Sequence, residues 1–282
     1  MLLWSALPLL TSFATRLPPF QLAAMTFGIA ALAALVKWLA LGESIAKHLN
    51  QPLAAWAVGV GGLFGYHAFY FAAMRNAPTV DVSLIAYLWP VLIVLFSSLL
   101  PGERVRWNHI AGVVLGFAGS ALLVTNGGQV AFRAEYTLGY MLAFACPIIW
   151  SGYSVLNRLL GDVPTDAVGG FCAATAILAA LCHVAFETTV IPAGGEYLAI
   201  LALGIGPVGA AFFAWDHGTK HGDIRLLGVL SYAAPLISTL LLIGFGRAAA
   251  TIAVALACAL IVGGALIASK DSLKRRQTVT PT

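Results

Sequence analysis

The chain has 282 residues, 60% of them hydrophobic and only 9% charged, with a formal net charge of +4. Soluble globular domains carry about 25% charged residues, so a soluble domain is excluded. Apolar stretches of about 20 residues, the length that crosses a hydrocarbon core, recur along the chain, and runs such as 91–100 do not alternate as barrel strands would; the fold class is an all-α membrane protein.

In chain order, ten transmembrane helices are predicted over 2–17, 20–41, 53–75, 79–100, 108–126, 137–159, 166–187, 196–219, 225–245 and 248–269. The first is short, so it is tilted or partly broken, or the native chain begins slightly upstream. It is not read as a signal peptide, because it lacks a basic start and leads straight into further spans. The connections are short and carry Pro, Gly and charge, as at Arg16–Pro19 and Gly218–Asp223. None can hold a folded domain, so function must lie between the helices.

Lys47, Arg104, Arg106, Arg158, Lys220, Arg225 and the tail residues Lys270, Lys274, Arg275 and Arg276 fall on one face. The other face holds Arg16, Arg75, Arg133 and Arg247. This bias puts both termini in the cytoplasm, and it makes the basic tail an orientation signal rather than a nucleic-acid site. Cys146, Cys172, Cys182 and Cys258 lie inside spans, form no C-x-x-C pair and read as buried small hydrophobes.

Shifting the chain by about 145 residues superposes its halves. Leu53–Gly61 falls on Leu198–Gly206, Tyr87-Leu-Trp-Pro90 on Tyr232-Ala-Ala-Pro235, and Gly119 on Gly264. A shift of 146 sets Leu3-Trp4-Ser5 on Ile149-Trp150-Ser151. Five spans per half is an odd number, so the two halves, 1–135 and 136–282 with its basic tail, are inverted five-helix repeats. Such repeats place a substrate site near the bilayer midplane and supply paired conformations for alternating access.

These two halves, the Trp-Ser in the first helix of each, and Pro90 followed by Gly102-Glu103 resemble the drug/metabolite transporter superfamily in its ten-helix EamA-type branch. Tyr87-Leu-Trp-Pro90, Ala214-Trp215 with His221-Gly222, and Gly228-Val-Leu-Ser-Tyr232 followed by Pro235 are similar to the bacterial aromatic amino-acid exporter subgroup. The resemblance covers essentially the whole chain and implies export of aromatic amino acids across a bacterial inner membrane. Two departures stand out. The second half has Gly246-Arg247 where a Gly-Glu would repeat, and the first helix lacks the acidic residue of the small multidrug members.

The candidate substrate-binding residues are Tyr66, His67 and Tyr70 in the third span, Tyr87 and Trp89 in the fourth, and Trp150, Tyr153, Trp215, Asp216 and Tyr232 from the other half. Rings stack on an aromatic substrate, Trp and Tyr faces hold an ammonium, and phenol hydroxyls hydrogen-bond. Pro90, Pro147 and Pro235 are candidate hinges, because each removes a backbone donor inside a helix. Asp216 and Lys220, at i and i+4, either pair or recognise substrate charge or a proton. Asn157 and Arg158 lie within reach of a carboxylate at the inner gate. Trp38, Trp56 and Trp107 are expected in the interfacial belt, and Asp81, His183 and Glu187 near water. Glu103 is assigned to structure, and the glycine faces Gly112/Gly116/Gly119 and Gly59/Gly62 to close packing.

No H-E-x-x-H, G-x-S-x-G or Walker loop occurs, so the expectation is a transporter, not an enzyme. No cofactor or metal is expected, and the partners are a small-molecule substrate and membrane lipid. The leading reading is an exporter of aromatic amino acids working as a facilitator. The alternatives are a proton-coupled exporter of drugs or other metabolites, and a membrane-embedded enzyme or sensor. Monomer and dimer stay open.

Overall fold

The computed structural model describes residues 1–102, 104–128, 133–246 and 248–277, with 270–277 by backbone alone. Glu103, Arg247 and the side chains of Lys270, Lys274, Arg275 and Arg276, all used above, lie outside the described residues. Among the described residues, ten helices follow in order: α1 (Leu2–Thr11), α2 (Pro19–Ala40), α3 (Leu53–Asn76), α4 (Thr79–Ser97), α5 (Trp107–Thr125), α6 (Thr137–Leu159), α7 (Val168–Phe186), α8 (Glu196–His221), α9 (Ile224–Gly244) and α10 (Ile252–Gln277). The nine from α2 onward are long and apolar enough to cross a membrane, α1 is a shorter apolar helix, and no strand occurs among the described residues.

Most span ends match the hydrophobic lengths to within a few residues. The first does not: α1 is helical only to Thr11 and breaks at Ala6, with 12–17 running as turns. Pro8 explains the break, since it has no N–H to return to Trp4 and crowds the preceding turn. A short helix over Ile45–Leu49 interrupts the α2–α3 connection.

The repeat extends to irregularities of the backbone. Gly61–Gly65 in α3 and Gly206–Ala210 in α8 are both π-helical, 145 residues apart. The helix α4 breaks at Tyr87–Leu88 and α9 at Ser231–Tyr232, each just before its proline. Pro90 cannot donate to the carbonyl of Ala86, nor Pro235 to that of Ser231, and the Ser231 carbonyl accepts instead from the Ala234 N–H at 3.0 Å. Pro147, by contrast, sits inside an uninterrupted α6.

The helix α2 packs along α7 and α5 along α10, pairing equivalent elements of the two halves. Close approach needs the expected glycines: a Cβ on Gly112 would meet Ala268 and the Gly264 carbonyl at 2.9 Å, and one on Gly119 would meet Ile261 at 2.8 Å.

Several expectations are corrected. The Glu187 side chain, 2% exposed, and His183 are buried, not wet. The Glu187 carboxylate accepts the Phe20 and Gln21 backbone N–H groups at 3.1 Å each, pairs with Arg75 at 3.1 Å and touches His183 at 3.0 Å. It thereby caps the start of α2, where free N–H groups favour an anion. Asp81 is buried too, taking a hydrogen bond from the Tyr140 hydroxyl at 3.0 Å. Of the expected belt tryptophans, Trp107 is exposed, whereas Trp38 is buried and stacks on His48 at 4.6 Å. Cys146 and Cys172 are buried as expected, but Cys182 and Cys258 only partly so.

Candidate functional site

A cavity of about 750 Å³ lies between the halves, within the size range of small-molecule sites. Its wall runs from Trp4, Trp89 and Trp150 at depth to Ser12 and Thr15 on the α1–α2 connection and Pro19 at the start of α2. The mouth therefore opens on the face that carries the α1–α2 and α3–α4 connections, called the outer face below.

The aromatic lining is continuous. Trp150 meets Trp4 at 5.7 Å, Tyr66 at 5.8 Å and Trp89 at 6.3 Å between ring centroids. Tyr66 stacks on Tyr70 at 5.9 Å, and Phe27 lies edge-on to His67 at 5.1 Å and stacked on Phe212 at 5.6 Å. The π segment before Tyr66 contributes directly: the Leu63 carbonyl inside it accepts from His67 Nδ1 at 2.7 Å. A carbonyl can only accept, so Nδ1 carries the proton and Nε2 is the acceptor of the neutral ring. The Tyr70 hydroxyl lies 3.3 Å from Ser83 Oγ on α4. Among the described residues, no Asp, Glu, Lys or Arg lines the cavity.

Six of the ten candidate residues thus meet there: Tyr66, His67, Tyr70, Tyr87, Trp89 and Trp150. The other four lie behind the wall. Tyr153 and Trp215 are 3% and 4% exposed, and Asp216 and Tyr232 are fully buried. Trp215 packs behind the deep tryptophans, 5.2 Å from Trp4, 5.6 Å from Trp89 and 6.0 Å from Trp150, with its indole N–H donating to Ser154 Oγ at 3.0 Å. The Tyr232 hydroxyl donates to the Tyr87 carbonyl at 3.1 Å, joining equivalent tyrosines of the two halves.

Asp216 is held by three donors and does not reach the cavity. Asn157 Nδ2 donates to Oδ1 at 2.9 Å, and Thr165 Oγ1 and Lys220 Nζ donate to Oδ2 at 2.7 Å and 3.0 Å. The expected Asp216–Lys220 pair is present, with both side chains 1% exposed. Asn157 Nδ2 also meets Thr219 Oγ1 at 3.0 Å, and Arg158 donates to the Thr219 and Gly222 carbonyls at 3.0 Å and 2.6 Å. This polar cluster fastens α6 to α8 on the inner face, opposite the mouth.

The reading from sequence missed Trp4, Phe27, Phe71 and Phe212 as lining residues. Trp4 carried a signal, since it is the repeat counterpart of Trp150. Its indole N–H donates to the Pro207 carbonyl at 2.9 Å, in the π segment of α8. Of metal-ligand types, Glu43, His48 and Asp166 approach one another on the inner face, but His48 Nε2 already meets Glu43 at 2.7 Å and Lys37 Nζ meets Asp166 at 2.5 Å. The group is an ion-paired cluster between the α2–α3 and α6–α7 connections.

The pattern of the EamA-like transporter family matches residues 1–125 and 137–270. An aromatic amino acid exporter, YddG, of Ancylobacter novellus is 55% identical over 269 residues, covering 95% of this chain and 93% of that protein. The exporter of the same name from Salmonella typhimurium is 27% identical over 178 residues, covering 61% of this chain and 60% of that protein. A solved crystal structure, 54% identical, superposes with a TM-score of 0.92 and covers 99% of this chain and 96% of its own.

Proposed function

The chain belongs to the EamA-like transporter family, and from that premise we propose that it exports aromatic amino acids across the bacterial inner membrane by alternating access. The transported molecule is small, as the cavity volume requires. The observation that carries the reading is the aromatic, charge-free lining between the halves, and the name of the relative from Ancylobacter novellus supports it.

Each aromatic contact adds about 0.5–1.5 kcal/mol beyond area burial, and an ammonium over a Trp or Tyr face adds about 0.5–2 kcal/mol. Tyr66, Tyr70 and Tyr87 offer hydroxyls to the substrate carboxylate, while His67 Nε2 and the indole faces of Trp89 and Trp150 take its ammonium. Among the described residues no acidic side chain lines this open wall, and we take transport to run down the solute gradient. The halves 1–135 and 136–282 act as the two moving units, both termini are cytoplasmic, and Pro90 and Pro235 bend where the halves meet. In this orientation the structure is open to the outside.

The test is uptake of labelled Phe, Trp and Ala into liposomes holding only this protein, with and without a pH gradient. Flux selective for Phe and Trp without a gradient is expected. Flux only with a gradient would shift the mechanism to proton coupling, and no amino-acid flux in either condition would refute the substrate assignment.

A further inference from the structure

The four candidate residues left behind the wall share one relation. In the register of the repeat, Tyr153 falls on Leu7, Trp215 on Tyr70, Asp216 on Phe71 and Tyr232 on Tyr87. All four counterparts line the open cavity, and so does Thr11, the counterpart of Asn157. The second half is therefore closed between α6 and α8 where the first is open between α1 and α3. When inverted repeats exchange conformations, the closed set becomes the cavity wall and the open set becomes the seal.

The exchange is chemically unequal. The wall now exposed offers Leu7, Thr11, Tyr70 and Phe71, whereas the hidden one offers Asn157 and the Asp216 carboxylate. Asn157 sits on α6 and Thr165 in the connection after it, so both leave when α6 separates from α8. Lys220 lies one turn along the helix that carries Asp216 and travels with it, keeping Oδ2, while its bond to the Val163 carbonyl at 2.8 Å is lost with the connection. Oδ1 is left without a donor in a cavity of low dielectric. A carboxylate oxygen so placed demands a cationic hydrogen-bond donor, and the ammonium of an amino acid supplies one.

We propose that Asp216 is the ammonium-recognising carboxylate of the inward-open conformation, covered in the outward-open one by Asn157 and Thr165. The proposal rests on the amino-acid reading above. It gives the carrier two binding sites of different chemistry, a polar one loaded from the cytoplasm and an aromatic, uncharged one that releases outside. Detailed balance lets an uncoupled carrier hold a lower KM at one face only with a lower Vmax from that face, so the asymmetry shows in KM and not in the final gradient.

The full chain is reconstituted in liposomes, and KM for Phe is measured at each face, together with inhibition by 3-phenylpropanoate, which lacks the ammonium. Asp216→Asn combined with Lys220→Met removes the carboxylate without stranding a cation. Loosening the gate shifts the populations seen by both compounds alike, so the readout is the ratio of the Phe KM to the 3-phenylpropanoate inhibition constant at each face. The double variant is expected to raise the inner-face ratio about tenfold, the worth of one charged hydrogen bond, and to leave the outer-face ratio in place. An unchanged inner-face ratio would make the cluster a lock alone, and an equal rise at both faces would make the effect general; either overturns the proposal. Asn157→Ala, which uncovers the carboxylate and keeps it, is expected to lower the inner-face ratio. An unchanged ratio there would overturn the proposal even if the double variant fails to fold. Absence of Phe flux in the unaltered protein would refute the amino-acid reading instead.

Discussion

Removing a single hydroxyl tests whether the two halves exchange roles. The Tyr232 hydroxyl donates to the Tyr87 carbonyl at 3.1 Å, and Tyr87, its counterpart in the repeat, lines the cavity. If the halves exchange conformations, the relation is expected to invert in the inward-open state, with the Tyr87 hydroxyl meeting the Tyr232 carbonyl. Tyr232→Phe deletes a bond made in one state only. A neutral hydrogen bond of this kind contributes about 1 kcal/mol net, so the outward-to-inward ratio is expected to fall about fivefold. Tyr87→Phe is expected to raise it by a similar factor. The ratio can be read from the populations of long and short distances between spin labels at Thr15 and Thr79, both exposed on the outer face, with Cys182 and Cys258, which are not buried, replaced by Ala. Shifts in the same direction for both variants would refute the exchange. An unchanged ratio with a lowered melting temperature would reduce Tyr232 to packing.

Two further outcomes are expected. Pro90 sits in the first turn of the segment that restarts after the break, and Pro90→Ala returns an N–H that can close the break on the Ala86 carbonyl, so turnover should fall while Phe affinity holds; a loss of binding with turnover intact would sink the hinge. Asp223, at the start of α9, is drawn upward by partial burial, but the Arg225 guanidinium and the Arg225 and Leu226 N–H groups outweigh that and hold its carboxyl below the usual range. A depressed folded value means its stabilisation is present above the unfolded carboxylate pKa, about 4, and is lost as pH falls through the folded value. Asp223→Ala should lower the melting temperature at pH 7 through loss of a cap of about 0.5–2 kcal/mol and flatten the acid side of the melting profile, which a profile parallel to the parent's would contradict.

What could be read from the sequence depended on which physical quantity each residue reports. Span ends follow hydrophobic length, so α2 to α9 fall close to expectation, and the odd number of spans per half fixes inversion. Tyr66, His67, Tyr70, Tyr87, Trp89 and Trp150 combine mid-span position with a polar or aromatic handle, and they meet in the cavity. Trp4 was missed because a short span that could be tilted or partly broken does not say which of its residues face inward, and only the break at Ala6, beside Pro8, places the indole in the cavity wall. The π segments are invisible to periodicity, since glycines at 61, 62 and 65 fit an α-helix equally well. Glu187 read as wet because proximity to a span end says nothing of the α2 N-terminus folded against it. Tyr153, Trp215, Asp216 and Tyr232 were read as site residues from chemistry alone, and a sequence specifies a face of a helix, not the conformational state in which that face is open.

The two gates, equivalent in the repeat, therefore differ in chemistry as well as in whether they are open. At the inner face α6 and α8 close on Asn157, Asp216, Thr219 and Lys220, with the Arg158 guanidinium on two backbone carbonyls. Their counterparts at the outer face are Thr11, Phe71, Met74 and Arg75, with Ser12 in the place of Arg158. Of these, Arg75 is already committed to Glu187. Breaking a satisfied buried ion-pair cluster costs several kcal/mol unless water or ligand replaces each partner, whereas parting apolar side chains exposes them to a cavity that substrate rings can fill. Opening inward thus calls for a polar group to take over the contacts of Asp216, and opening outward for apolar groups to fill the space between the parted side chains. A zwitterion with an aromatic ring, the substrate proposed above, supplies both.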